Sequence, residues 1–408
     1  MKCRYCKTEL IYEIIDLVNS PPSNSYLTKE ELNEPEVFYP LKIYVCHNCF
    51  LVQIDEYKKS NEIFNENYIY FSSFSKSLLE HSKKYADMVI KRFNLNENSK
   101  VIEIASNDGY LLQFFQEANI PCLGVEPSLK TGKVAKEKGI EVIDKYFGTV
   151  LAKELVKKGQ LPDLLIGNNV LAHVPDILDF VNGLKILLND TGVITMEFTH
   201  LMQLIDKNLF DTIYHEHFSY FSFLSVKLLF ESFDLEIFDV EEIPTQGGSL
   251  RIFAKHQEDK TKEISNNVSN LLEKEISKKM NSIDYYRNFQ EKVNNVKYSL
   301  LQFLLDVKKK SKKVAAYGAA AKGNTLLNYC GIKSDLIEFV ADKSPYKIGK
   351  FLPGSHIPIV EEEHIKIEKP NYILILPWNI KEEIMKQLDY VNEWNCKFVI
   401  PMPEVKVL

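Results

Sequence analysis

Between positions 211 and 217 the chain reads Asp211-Thr212-Ile213-Tyr214-His215-Glu216-His217, setting two acids, a phenol and two imidazoles close together. Such a run makes poor core material, and the four side chains from Tyr214 to His217 can all handle protons. His217 is the best-suited base of the set, because an imidazole titrates close to working pH. Tyr214 can donate to a developing oxyanion, and Glu216 can orient or polarise the base or bind a hydroxyl. His173, and Tyr68 among further aromatic residues, complete the candidate set, as an oxyanion donor and as a ring closing over an acceptor. His215 alternates with Tyr214 and Glu216 and is expected to point away. The plainer readings are a helix-terminal contact for His173, a core ring for Tyr68 and a core imidazole for His217. The chemistry that would use all of these groups is removal of a proton from carbon. A carbon becomes nucleophilic only when a base takes its proton and donors hold the charge left on a neighbouring oxygen.

The elements that must position these groups read as α/β. A helix over about 75–93 precedes the apolar strand 100–105, and Ser106-Asn107-Asp108-Gly109-Tyr110 then turns into a further helix. Strand, tight polar turn and helix N-terminus together make a small-molecule cradle lined by backbone N–H groups. The next strand, 122–125, ends in Glu126-Pro127, and an acid at that tip is placed to accept both hydroxyls of a ribose. Strands at 163–167 and 192–198 follow, the first ending in Asn168-Asn169. This order is that of class I S-adenosylmethionine (SAM) methyltransferases. Ala105 stands where a first glycine is usual, and the GxGxxG of a dinucleotide fold is absent. Expected cofactor contacts are Glu103, Ser106, Asn107, Gly109, Tyr110, Glu126, Pro127, Asn168 and Asn169.

Four of the seven cysteines form two CxxC pairs, Cys3/Cys6 and Cys46/Cys49. Paired knuckles are the spacing of a closed tetrahedral Zn²⁺ site, which leaves no coordination position open and is therefore structural. The alternative is a set of free buried thiols. A hairpin and the loop Asn19-Ser20-Pro21-Pro22-Ser23-Asn24 can fill the gap between the knuckles. A metal would also help a module too small to bury much core alone.

Near the C-terminus, strand 314–317 runs into Gly318, Lys322 and Asn324, and strand 337–341 ends in Asp342. Small residues let backbone approach an anion, Lys322 adds a point charge, and Asp342 is again placed for a hydroxyl pair. The loop is not a P-loop, and a bare strand–helix packing turn is its plainer reading. Apolar residues at helical spacing over about 260–310, such as Val268, Leu271, Leu272, Leu300 and Leu304, fit connecting helices.

The net charge of −6 and only four arginines (Arg4, Arg92, Arg251, Arg287) argue against nucleic-acid or membrane-surface binding. There is no apolar stretch of membrane-spanning length and no signal-like N-terminus, so a cytoplasmic location is expected.

The two CxxC pairs, Tyr68, Glu103-Ile104-Ala105-Ser106-Asn107-Asp108-Gly109, Tyr214-His215-Glu216-His217 and Tyr317-Gly318-Ala319-Ala320-Ala321-Lys322-Gly323-Asn324-Thr325 together resemble the sugar C-methyltransferases of branched deoxysugar pathways, from end to end of the chain. The resemblance implies a zinc-binding module (1–65), a SAM-binding Rossmann-like domain (66–258) and a helical connector with a second Rossmann-like domain (259–408) that helps hold a nucleotide-linked sugar. It implies SAM and structural Zn²⁺ as cofactors. The substrate it implies is a nucleoside-diphosphate 4-keto-6-deoxy sugar, usually dTDP-linked, methylated at C-3. Three covered domains in one chain fit a monomer. Two other functions keep part of the pattern: an O- or N-methyltransferase on a nucleotide sugar, which needs no base beside a ketone, and a non-enzymatic zinc-ribbon adaptor, which needs no Glu126.

Overall fold

The computed structural model describes residues 1–59 and 71–408, so Tyr68 lies outside the described residues. Strands β1 (Tyr12–Ser20), β2 (Tyr39–Val45) and β3 (Val52–Ile54) form an antiparallel sheet beside the cysteine knuckles. Its fourth strand comes from far along the chain. β9 (Ser219–Tyr220), just after the His-rich run, pairs with β3 through Val52↔Tyr220 and Gln53↔Ser219. The zinc-module sheet thus incorporates the residues that follow His217.

The central sheet contains β4 (Val101–Ile104), β5 (Cys122–Val125), β6 (Glu141–Ile143), β7 (Leu164–Asn168), β8 (Val193–Thr199), β10 (Leu235–Ile243) and β11 (Ser249–His256). Their order is β10-β11-β8-β7-β4-β5-β6, parallel from β8 to β6, with β11 antiparallel to both its neighbours. Strands buried on both faces read as apolar runs, and β4 is buried at all four positions. The helix Lys76–Arg92 covers one face; Ser75 caps it by accepting from Leu78 N–H, and Ser82, Tyr85, Ala86 and Val89 form its buried stripe. Because β4 has β5 on one side and β7 on the other, a crevice opens beyond their carboxyl ends, where this class of sheet binds ligands.

The C-terminal sheet runs β14 (Ile359–Val360), β13 (Val340–Ala341), β12 (Val314–Tyr317), β15 (Tyr372–Ile375), β16 (Lys397–Ile400) and β17 (Lys406–Val407), with only β17 antiparallel. It repeats the switch point, at β12. The strand expected over 337–341 is shorter than the sequence suggests. Leu336 and Ile337 N–H groups close a turn on Lys333 O, leaving Val340–Ala341 as strand. The connector is helical, over Asn266–Ser277 and Phe289–Lys309.

One apolar core joins Ile15 and Val45 of the first sheet, Leu204 and Phe210, Leu300 and Leu304 of the connector, and Leu326 and Val340 of the last domain. A second joins Cys3, Cys46 and Cys49 to Ile102, Val125 and Phe198 of the central sheet. The module that carries the cysteines therefore shares core with both α/β domains.

Candidate active site

The sulfurs of Cys3 and Cys49 are 3.6 Å apart and those of Cys6 and Cys46 3.4 Å. All four lie within 4.8 Å of one another, mostly buried, as free thiols. A tetrahedron with Zn–S bonds of about 2.3 Å places its sulfurs roughly 3.8 Å apart, so the cluster fits zinc with shifts of about 1 Å or less. The Arg4 guanidinium, inside the first knuckle, donates to Phe218 O at 3.2 Å and lies over the Phe218 ring. A knuckle residue thus holds the position next to His217.

At the end of β4, Ala105 (φ 57°), Asn107 (φ 51°) and Gly109 (φ 74°) take left-handed backbone, the conformation that usually calls for glycine at the first of these places. A Cβ on Gly109 would meet Ile140 Cδ1 at 2.4 Å and Ala135 Cβ at 3.3 Å, so a side chain there would also have to displace its neighbours. Glu126, at the tip of β5, accepts from Asn107 N–H at 2.9 Å with one carboxylate oxygen and from Ser128 N–H at 2.8 Å with the other. Burial raises its pKa while these donors oppose the rise. Glu103 is fully buried beneath the turn, and burial with the charges of Glu126 and Asp108 pushes its pKa well up. Ser106 Oγ, Asp108 Oδ1 and Asn168 Oδ1 are buried and have no hydrogen-bond partner among the described residues. Buried polar atoms are rarely left so. Three acids around an unsatisfied polar turn suit a ligand with hydroxyls and positive charge, as SAM has. Asn169 (φ 55°) continues the rim and donates to Glu197 O at 2.7 Å.

The His-rich run lies where all three parts of the chain meet. His217 N–H closes a turn on Tyr214 O, and Phe218 N–H donates to Ala172 O of the His173 loop. His217 Nδ1 is 2.9 Å from Thr212 O. A carbonyl only accepts, so Nδ1 carries the proton and Nε2 keeps the lone pair. Burial, His173 and the charge of Lys322 push the His217 pKa well below its ordinary value, so the ring is neutral at neutral pH. His173 Nδ1 sits 2.8 Å from Glu216 O, and burial lowers its pKa to about 4. The rings of Tyr214 and His173 stand 4.0 and 4.6 Å from that of His217, centre to centre. Glu216 is buried and pushed up to about 7. His215 turns the other way, with Nε2 3.1 Å from Pro40 O and its ring against Tyr39 and Tyr57.

From the C-terminal domain, Lys322 donates to Asn379 Oδ1 at 2.8 Å over the Trp378 ring, and Trp378 Nε1 donates to Asp211 at 2.6 Å. Burial raises the Asp211 pKa to about 6, opposed by Lys322. The lysine read as an anion ligand is thus tied through Trp378 to the first acid of the His-rich run. Gly318 (φ 86°) passes so close to Pro377 that a Cβ would sit 2.6 Å from its ring. Asp342 accepts from Ala319 N–H and Ser344 N–H, both at 2.7 Å, the same arrangement as Glu126. Asn324 is buried and donates to Ser23 O at 2.6 Å, so its amide N–H serves the junction between domains.

Sequence reasoning missed Asn24, Thr212 and Trp378. Asn24 lay in a loop read as filler, Thr212 acts through backbone, and Trp378 stands far from any motif.

The strand order and the Asn107 turn define a class I methyltransferase. Family models match three consecutive stretches: a zinc-binding domain over 3–64, a methyltransferase domain over 78–240 and a C-methyltransferase C-terminal domain over 244–403. C-methyltransferase NovU of Streptomyces niveus is 33% identical over 407 residues, covering 100% of this chain and 96% of its own. The likeness to solved structures is more distant. The PH0226 protein of Pyrococcus horikoshii OT3 shares 15% identity at a TM-score of 0.38, over 46% of this chain and 94% of its own. Magnesium protoporphyrin IX methyltransferase of Synechocystis PCC 6803 shares 14% at 0.33, over 48% and 88%. The chain belongs to the C-methyltransferase family. SAM is its methyl donor, and the four-cysteine site is a structural zinc site.

Proposed function

We propose that the chain methylates the carbon beside the ketone, C-3, of a nucleoside-diphosphate 4-keto-6-deoxy sugar, through an enolate. The observation that carries this reading is the tautomer of His217, locked by Thr212 O with Nε2 left as the basic nitrogen and the ring kept neutral by burial. An oxygen or nitrogen nucleophile would need no base aimed at a carbon beside a ketone.

SAM, when bound, supplies an electrophilic methyl carbon. The residues of the chain supply the nucleophile. Nε2 of His217 takes the proton from C-3, the C–H electron pair becomes the C3–C4 double bond, and the carbonyl π pair moves onto O4. The C-4 oxyanion is held by Tyr214, with Lys322 adding positive charge from the C-terminal domain; His173, expected as a second donor, commits its one N–H to Glu216 O and packs against His217 instead. Glu216 orients the site or accepts from a sugar hydroxyl. Glu126 would hold the SAM ribose, with Glu103, Ser106, Asn107, Gly109, Tyr110, Pro127, Asn168 and Asn169 around the rest. Gly318, Lys322 and Asp342 would meet the nucleotide-linked sugar, with Asn324 behind them. Tyr68, outside the described residues, keeps its role as an expected closing ring.

The test uses dTDP-4-keto-6-deoxyglucose in deuterated water, with S-adenosylhomocysteine in place of SAM. Deuterium should enter the carbon beside the ketone only when enzyme is present. Methyl transfer from SAM to oxygen or nitrogen, with no exchange at carbon, would overturn the reading.

A further inference from the structure

Glu216 has an unexpected partner. The Asn24 side-chain amide, on the loop between β1 and β2, donates from Nδ2 to both carboxylate oxygens, at 2.7 and 2.9 Å. The two hydrogens of an amide nitrogen diverge by about 120°, far more than the two oxygens of one carboxylate subtend, so a single N–H is shared between both oxygens. The carboxylate only accepts, which fixes which way the amide faces.

The loop that carries Asn24 is clamped on both sides. Ser25 N–H turns back on Pro22 O at 3.0 Å. Asn324 holds Ser23 O at 2.6 Å, and Ser23 Oγ lies 3.3 Å from Thr325 Oγ1. Thr325 in turn donates to Ile213 O, within the His-rich run, at 2.9 Å. Tyr26, buried one turn further on, donates to Ala319 O at 2.6 Å. The zinc module therefore reaches into the junction between the two α/β domains, and Asn24 is the side chain it delivers there.

We propose that Asn24 is a positioning residue for methyl transfer: it holds Glu216 in one orientation as an anion beside His217, which makes the zinc module part of the active-site wall. This rests on the reading that Glu216 and His217 serve carbon deprotonation.

Burial alone drives a carboxyl toward its neutral form, and the Asn24 N–H shared between its two oxygens opposes that drive. Glu216 also feels the charge of Lys58, from the segment after β3. Tyr26 lies within reach of the Glu216 charge and has Lys347 and Asp342 near it, while His173 engages the Glu216 backbone. Among these groups Asn24 is the one hydrogen-bonded to both oxygens. Losing it leaves the anion buried with less compensation, so the carboxyl must hold its proton to higher pH.

The experiment uses the full-length, zinc-loaded chain with Asn24→Leu, Asn24→Asp and, as reference, Glu216→Gln. Glu216 is titrated by its carboxylic-acid infrared band, taken as the difference from Glu216→Gln. The acid limb of kcat for deuterium exchange into dTDP-4-keto-6-deoxyglucose is followed beside it. In Asn24→Leu both should move up by about one pH unit or more, with SAM affinity unchanged. Asn24→Asp, which keeps the shape but opposes two carboxylates, should move them further. It also carries the test if Asn24→Leu does not fold. An unmoved titration in folded Asn24→Asp overturns the proposal. So does a moved titration with an unmoved kcat limb, which would leave Asn24 a purely structural contact. If wild-type protein does not exchange the sugar at all, the sugar reaction fails instead, and the titration alone decides whether Asn24 governs Glu216.

Discussion

At the scale of single residues, chemistry is set by which nitrogen or oxygen is already engaged. His217 Nδ1 is committed to Thr212 O, so a substitution that keeps the ring's volume but removes the base is the informative one. His217→Gln should lose exchange and methyl transfer together by about 10²–10⁴-fold, the usual worth of a positioned base, while SAM still binds. Tyr214→Phe should be milder, because water can partly substitute for a lost donor. Rate assays beside SAM titrations check both, and near wild-type turnover in His217→Gln would return the run to a structural role. Glu126 is a second such case. It spends one oxygen each on Asn107 and Ser128 N–H, so Glu126→Ala removes a ribose acceptor and strands two buried donors. SAM affinity should fall by roughly 1–3 kcal/mol, read by calorimetry.

At the scale of elements, the zinc knuckles behave as the fixed end of a short strand system that terminates in the active site. Arg4 grips Phe218 O, and β3 pairs with β9 directly after His217. Zinc should therefore be needed for more than solubility. Metal analysis should find one zinc per chain, and Cys46→Ser should lose both zinc and the cooperative melting of the intact chain, since structural zinc binding is coupled to folding. Zinc-free protein that melts and turns over like the wild type would contradict this. The CxxC spacing made the metal legible. Nothing in it revealed that the same sheet takes its last strand from residues 219–220, because strand pairing across such a distance leaves no local signature in a two-residue element.

At the scale of the whole molecule, the three parts meet on buried acids, and this makes stability depend on pH. Asp211 is fully buried, takes one hydrogen bond from Trp378, and is pushed from 3.8 to about 6. A carboxyl whose folded pKa is raised is stabilising while protonated in the folded chain. Its contribution is present below the unfolded value and is lost as pH rises through the folded one, here between about 4 and 6. Asp211→Asn keeps the Trp378 contact without a titrating group, so it should flatten the fall in melting temperature across that interval. Melting curves from pH 4 to 7 check this, and an unchanged slope would place the pH dependence elsewhere.

The chain's own order determined a good deal. Two CxxC pairs specified a four-sulfur metal site because ligand spacing is local. Apolar strands followed by polar turns specified the two Rossmann-like sheets, and the acids at 126 and 342 stand at strand tips because a strand's length sets where it ends. The seven residues from Asp211 to His217 announced proton chemistry by type alone. Only tertiary structure decided which of them face one another and what holds them. Thr212 selects the tautomer of His217, Asn24 arrives from a loop near the N-terminus to grip Glu216, and Trp378 with Lys322 comes from the last domain to meet Asp211. Those contacts join residues up to 192 positions apart. Each depends on domains sharing a core, which is a property of packing and has no period or spacing to be read along the chain.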